Sequence, residues 1–255
     1  MTGVLSSELL KIRSVRSTTY VLLALALMLL TGAVVSYLMT ADWDVASPDR
    51  QQRFDRADPG VVVVPFGQFC LGALGALAVT SEYGSGMIRT ALVSVPRRGT
   101  FLLAKIVVVG AVSLVVAALA VAGSYAAGEL ITGDRPKPIS AYDSVGEALP
   151  TLLSDTASMV LLALVGLGLG FLLRSTAGAL VTLCALLFVL PVVTLMLPPP
   201  WNERAYSVML PNLAPQLSGA VSEAPLSPPG AALVMLAYLV VTLGAGAVAL
   251  LRRDA

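Results

Sequence analysis

An all-α membrane protein with six transmembrane helices is the fold class this sequence predicts, and three observations predict it. Hydrophobic residues make up 57 % of the 255 positions and charged residues only 12 %, about half the charged share of a soluble domain. The apolar residues gather into six runs, at 18–39, 61–79, 101–127, 152–173, 177–197 and 231–251, each near or above the about 20 residues a helix needs to cross a bilayer. No Asp, Glu, Lys or Arg falls near the middle of any of these runs, where charge is most costly. The whole chain, 1–255, reads as one transmembrane domain.

The N-terminal stretch TGVLSSELLKIRSVRSTTY precedes the first run. Leu5, Leu9 and Ile12 share one helical face, opposed by Ser7, Lys11 and Ser14. The expectation is an amphipathic helix along the inner leaflet, with Lys11, Arg13 and Arg16 near lipid phosphates. The first run outlasts a signal-peptide core and no clear cleavage pattern follows it, so it is expected to be retained as a span. Residues 40–60 mix acids with Arg50, Arg53 and Arg56 and read as a solvated loop.

The second run carries Gln68, the most polar residue well inside a span. It is a candidate for lining a substrate path or for an interhelical hydrogen bond. Gly72 and Gly75, in the same run, are candidates for close helix packing, as are Gly166, Gly168 and Gly170 of the fourth. The segment TSEYGSGMIRTALVSVPRRGTFLLAK then interrupts the apolar pattern. Met87, Ile88, Ala91, Leu92 and Val95 form one stripe at helical spacing, while Arg89, Thr90 and Ser94 point elsewhere. Pro96 stops this short helix, and Arg97 and Arg98 turn the chain into the third span, with Lys105 reaching back to the headgroups. Glu82 is positioned either to cap the helix or to pair with a basic residue of a partner.

A turn-rich connection at 128–150 leads to the fourth run, and only Arg174, Ser175 and Thr176 separate that run from the fifth, which requires a tight antiparallel hairpin. Between the fifth and sixth runs, Trp201 and the apolar residues Val208, Met209, Leu210, Leu213 and Leu217 suggest short helices at the outer interface.

Charge sets the expected orientation. The termini, the 80–105 segment and the Arg174 turn hold ten Lys/Arg against three acids. The other three connections, with Asp155 at the start of the fourth run, hold six Lys/Arg against twelve acids. The basic side is the cytoplasmic one, so both termini are expected there.

Several chemistries are disfavoured. Histidine is absent, which removes the commonest general base. The three lysines follow Leu10, Ala104 and Pro136, so no phosphate-cradling loop of the Gly-Lys type exists. Cys70 and Cys184 both lie in apolar runs and read as small hydrophobes rather than a disulfide or metal framework. No bound metal, cofactor or nucleic acid is expected.

The interface-helix form SSELLKIRSVRST, the six spans and the stretch SEYGSGMIRTALVSVPRRGTFLLAKIVV resemble the permease subunit of a prokaryotic ABC-2 type ATP-binding-cassette transporter. GLGLGFLLRST and MLPNLAPQL add weaker support. The resemblance implies that Glu82, Tyr83, Gly84, Met87, Ile88, Arg89, Leu92, Pro96, Arg97 and Arg98 form a coupling segment docking on a separate ABC ATPase subunit. That partner would hold ATP and magnesium. It further implies a second permease chain, same or different, a plasma-membrane location and an export function. The alternatives are a membrane anchor or assembly partner that transports nothing, and a small ion-coupled carrier.

Overall fold

The computed structural model describes residues 2–94, 98–221 and 224–252, all of their regular structure helical. α1 (Thr2–Ser14) leads into the first long helix, α2 (Arg16–Val45), followed by one turn, α3 (Pro48–Gln51). α4 (Gly60–Gly84) and the short α5 (Met87–Ser94) come before the longest helix, α6 (Arg98–Thr132). α7 (Val145–Leu173) is followed by α8 (Thr176–Cys184), a π-helical turn over Ala185–Val189 and α9 (Leu190–Leu195). α10 (Trp201–Ser207), α11 (Leu210–Ser218) and α12 (Pro228–Arg252) complete the chain.

Six helical stretches are long and apolar enough to span a membrane: α2, α4, α6, α7, the α8–α9 unit and α12. Five of them outrun the apolar runs of the sequence. α7 starts at Val145 because Ser144 caps it: the Ser144 hydroxyl accepts from Glu147 N–H, and Glu147 accepts in turn from Asp143 N–H. The π-helical turn lies just ahead of Pro191, whose ring would crowd the carbonyl one turn back in a regular α-helix.

α7 is the axis of the bundle. Its most apolar stretch is 67 % buried, against 17 % for α2. Glycines bring α4 and α12 onto it at backbone distance. A Cβ at Gly75 would overlap the Ala163 carbonyl, and one at Gly166 would overlap that of Gly72. On the other face of α7, a Cβ at Gly168 would come within 2.6 Å of Thr242 backbone. At Gly170 it would lie 3.0 Å from the Ala76 carbonyl, and at Gly72 it would lie 3.2 Å from Leu183. Larger residues here would force the helices apart, which is why small residues mark interfaces in lipid. The outward faces carry Leu23, Leu27, Leu30 and Val34, all exposed, as a bilayer-facing surface requires.

The end away from the termini is more ordered than a solvated loop. Arg135 grips Asp44 with two hydrogen bonds of 2.7 and 2.8 Å, joining the ends of α2 and α6. Ala57 N–H donates to the Ile139 carbonyl at 3.0 Å, and the Ser36 hydroxyl donates to the Ala57 carbonyl at 2.6 Å. Ala57 and Pro59 are therefore buried between helices, while Gln52, Arg53, Asp55 and Arg56 stay exposed. α11 also differs from a helix lying at the outer interface. Leu210 and Leu213 are fully buried against α7 and α12, while Trp201 of α10 stays exposed. Gln216 holds this turn together: its amide donates to the Ser207 carbonyl at 2.7 Å and accepts from Leu226 N–H at 3.1 Å.

Candidate functional site

The end of the bundle that carries the termini gathers α1, the last turn of α4, α5, the first turns of α6, the α7–α8 turn and the end of α12. At its centre four side chains close a ring of ion pairs. Lys105 Nζ bonds Glu8 Oε2 at 2.7 Å and Glu82 Oε1 at 2.9 Å. Lys11 Nζ bonds Glu8 Oε1 at 2.6 Å and the same Glu82 oxygen at 2.9 Å. The ring ties α1 to α4 and α6. Helical spacing supplies it: Leu5, Glu8 and Ile12 lie on the face of α1 turned to the bundle, and Glu82 follows Ala78 by one turn of α4.

The four charges sum to zero but three are deeply enclosed. Lys105 is 2 % exposed, Glu82 3 % and Glu8 5 %. Lys105 spends its third N–H on the Ala78 carbonyl at 2.9 Å, so all its donors are satisfied. Glu82 Oε2 is buried without a hydrogen-bond partner. Burial pushes the Glu8 carboxyl up, but Lys105 and Lys11 outweigh this and hold it below the ordinary value. For Lys11, burial acts downward while Glu8 and Glu82 hold the ammonium above its ordinary value. Phe101 floors the ring, its centroid 5.1 Å from Lys105 Nζ and 6.0 Å from Lys11 Nζ, in range for cation–π attraction.

A second device closes the end of α12. The last carbonyls of a helix have no intrahelical donor, and here two guanidinium groups supply donors. Arg98 bonds the Leu250 carbonyl at 2.9 Å and that of Leu251 at 3.3 Å, and Arg174 bonds the Ala249 carbonyl at 3.1 Å. Arg174 sits in the left-handed region, φ 53°, at the end of α7 and stacks 5.0 Å over the Tyr83 ring. The start of α6, the α7–α8 turn, the end of α4 and the end of α12 are thereby linked.

These contacts correct three sequence expectations. Lys105 does not reach back to the headgroups; it is sealed inside the ring, because two carboxylates from other helices meet it there. Lys11 likewise faces Glu8 and Glu82, while Arg13 and Arg16 remain exposed. Glu82 neither caps α5 nor waits for a partner, being paired within its own chain. The α1 face is also rotated from the expected one. Leu5 and Ile12 pack on the core, but Leu9 is 42 % exposed.

α5 follows α4 through a turn in which Gly86 has φ 72°, a conformation that suits glycine. Its two leading apolar residues part ways. Met87 is 48 % exposed, whereas Ile88 is 2 % exposed and belongs to the core of this chain. Gly84 is exposed and Tyr83 half-buried. Pro96 and Arg97 lie outside the described residues, as do the side chains of Arg89 and Leu92. Gln68, between α4 and α7, donates to the Ser158 hydroxyl at 2.9 Å. Sequence reasoning placed Glu8 and Arg174 on this side by charge but assigned neither a role in the site. Their signal was weak but present: Glu8 and Glu82 are isolated acids on a strongly basic side.

Residues 4–210 match the sequence profile described as ABC-2 family transporter protein, 207 of the 255 positions. The chain belongs to the ABC-2 transporter family. No curated protein gives a match to it. For an ABC-2 permease, membership implies a partnered ABC transporter system, with this chain as its multi-pass membrane component. The matched region begins in α1 and ends at the first residue of α11, so it includes the ring, α5, Arg98 and Arg174, though not the end of α12 that the two arginines clamp.

Proposed function

We propose that this ABC-2 permease exports its substrate across a prokaryotic plasma membrane, driven by a separate ATPase chain that docks on α5. It works as one of a pair of six-helix bundles, with both termini in the cytoplasm. ATP and magnesium are held by the ATPase, and this chain contributes no catalytic group.

The observation that carries the reading is the position of α5. It is a short amphipathic helix between two spans, on the most basic end of the molecule, with Met87 and Val93 exposed. Its inner residue, Ile88, is anchored in the core, and the turn before it starts three residues after Glu82 of the ring. A push on α5 from outside the membrane therefore reaches α1, α4 and α6 through buried ion pairs, and α12 through Arg98. Such an anchored element fits a mechanical input better than a loop that only marks topology. Positive charge around it favours the cytoplasmic side.

The test is purification of the tagged chain from its native membrane, with identification of what accompanies it. An ATPase subunit without membrane spans in stoichiometric amount is the expected result. Recovery of the chain with only its own copies, from membranes that contain such an ATPase, would contradict the reading.

A further inference from the structure

The charged ring leaves one oxygen unused, and an open space adjoins it. A cavity of about 280 Å³ lies between α1, the first turns of α2, the last turns of α4 and the start of α5, with all four ring residues in its wall. Glu82 is 3 % exposed and holds both lysines through Oε1, while its Oε2 has no hydrogen-bond partner. A buried acceptor left alone is costly, and a carboxylate oxygen is satisfied only by a donor.

Charge around the cavity is balanced. The two carboxylates and two ammonium groups of the ring are the charged side chains that line it. A ligand with a formal charge would meet both signs and give up its hydration for little net attraction. The other polar lining is hydroxyl. Ser14 and Ser81 donate to the Lys11 and Leu77 carbonyls at 3.1 and 2.7 Å and keep their acceptor lone pairs, and Ser17 and Thr18 lie beside them. Val21, Leu74 and Leu77 make the deeper wall apolar. Leu77 and Leu74 precede the end of α4 by seven and ten residues, about 10 and 15 Å into the membrane at helical rise. An acceptor without a donor, neutral surroundings and an apolar slot together fit a hydroxyl group on a hydrocarbon stem.

We infer that this cavity binds a neutral amphiphile through a hydroxyl group. The hydroxyl donates to the free oxygen of Glu82 and accepts from Lys11, which spends two N–H groups on Glu8 and Glu82 and has a third. Lys11 bonds the other oxygen of the same carboxylate, so one hydroxyl can bridge the two groups. The stem runs along Val21, Leu74 and Leu77. A cavity of this size, at the small end for ligand sites, takes the hydroxyl and the start of a chain. The site does not depend on which motor drives the permease.

The test uses the full chain, extracted in a mild detergent without hydroxyl groups and stripped of lipid. Binding is read from the concentration dependence of thermal stability with decanol, decyl methyl ether, decanoate and decylamine, which share one stem and differ in the head. Decanol is expected to bind best. The ether, which cannot donate, is expected to bind about tenfold more weakly, because it leaves the carboxylate oxygen unpaired. Decanoate and decylamine are expected to bind more weakly than decanol as well. Leu77→Trp, which fills the apolar part, is expected to weaken decanol binding about tenfold. Leu119→Trp, on an exposed face of α6, is expected to leave it unchanged. Should Leu77→Trp fail to fold, Val21→Trp replaces it. Dioleoylglycerol separates the sources of such a ligand: stabilisation by it as well as by decanol points to a membrane lipid, and by decanol alone to a smaller alcohol, either result upholding the site. Equal binding of the ether, tighter binding of decanoate or decylamine, or unchanged decanol binding in the filled variant would each overturn the assignment.

Discussion

Replacing Lys105 by Met tests whether the ring holds the bundle end together. The substitution keeps the side chain's length and removes its charge. It leaves Glu8 and Glu82, 5 % and 3 % exposed, with Lys11 as the remaining cation and the Ala78 carbonyl without its donor. Removing one partner of a buried ion pair costs about 3–5 kcal/mol, because the other charge stays buried. Lys11→Met removes a cation whose side chain is 29 % exposed, so water replaces part of what is lost and the cost is about 1 kcal/mol or less. The double change Lys105→Met with Glu82→Leu removes one charge of each sign and leaves Glu8 paired with Lys11. It is expected to recover most of the stability, since apolar replacement of a buried pair is often close to neutral. The assay is the fraction of detergent-extracted chain that stays monodisperse after heating. The expected order is wild type, Lys11→Met and the double variant above Lys105→Met. The reasoning fails if Lys105→Met is no worse than Lys11→Met, or if the double variant is no better than the single.

Other outcomes follow from the same structure. Gly75→Ala and Gly166→Ala each place a methyl group on a backbone carbonyl of the facing helix, so membrane levels should fall sharply in both. Gly244→Ala, with nothing within 4 Å of its Cβ, should express normally. Arg174→Ala removes a donor from the end of α12, and amide exchange there should accelerate while exchange at mid-helix stays slow; unchanged exchange would remove the clamp. Glu8 sits below its ordinary value of 4.5, so its contribution is present above that value and is lost as pH falls through the lower value of the folded chain. Lys11, held above 10.5, contributes below that value and loses its contribution only as pH rises past the folded one. Stability owed to these two groups should thus be flat from pH 6 to 8, and a midpoint near neutrality would show that another group controls it.

The six spans were legible because apolar length is a local property of the sequence. Their polar ends were not, and α7 shows why. Its first turns are kept by the Ser144–Glu147 cap, a short motif that hydropathy alone passes over. The close glycine contacts of α4 and α7 were readable as candidates from residue size, though their partners were not. The ring was invisible because Glu8, Glu82 and Lys105 lie 23 to 97 residues apart, and only helix packing brings them within bonding distance. The same packing decides between Met87 and Ile88. Adjacent apolar residues on a short helix look alike in sequence, yet one is exposed and the other is core.

That distinction gives the most direct test of α5 as the input from an ATPase. Tagged chain carrying Met87→Asp is purified from native membranes, and the accompanying ATPase and its ATP turnover in lipid are measured against wild type. The account expects loss of the ATPase and its turnover with the permease still inserted and monodisperse, because an exposed apolar anchor often carries much of an interface's energy. Ile88→Asp, by contrast, should lower the amount of folded permease itself. Full retention of ATPase and turnover in Met87→Asp, with Val93→Asp equally silent, would contradict the claim that α5 receives the motor.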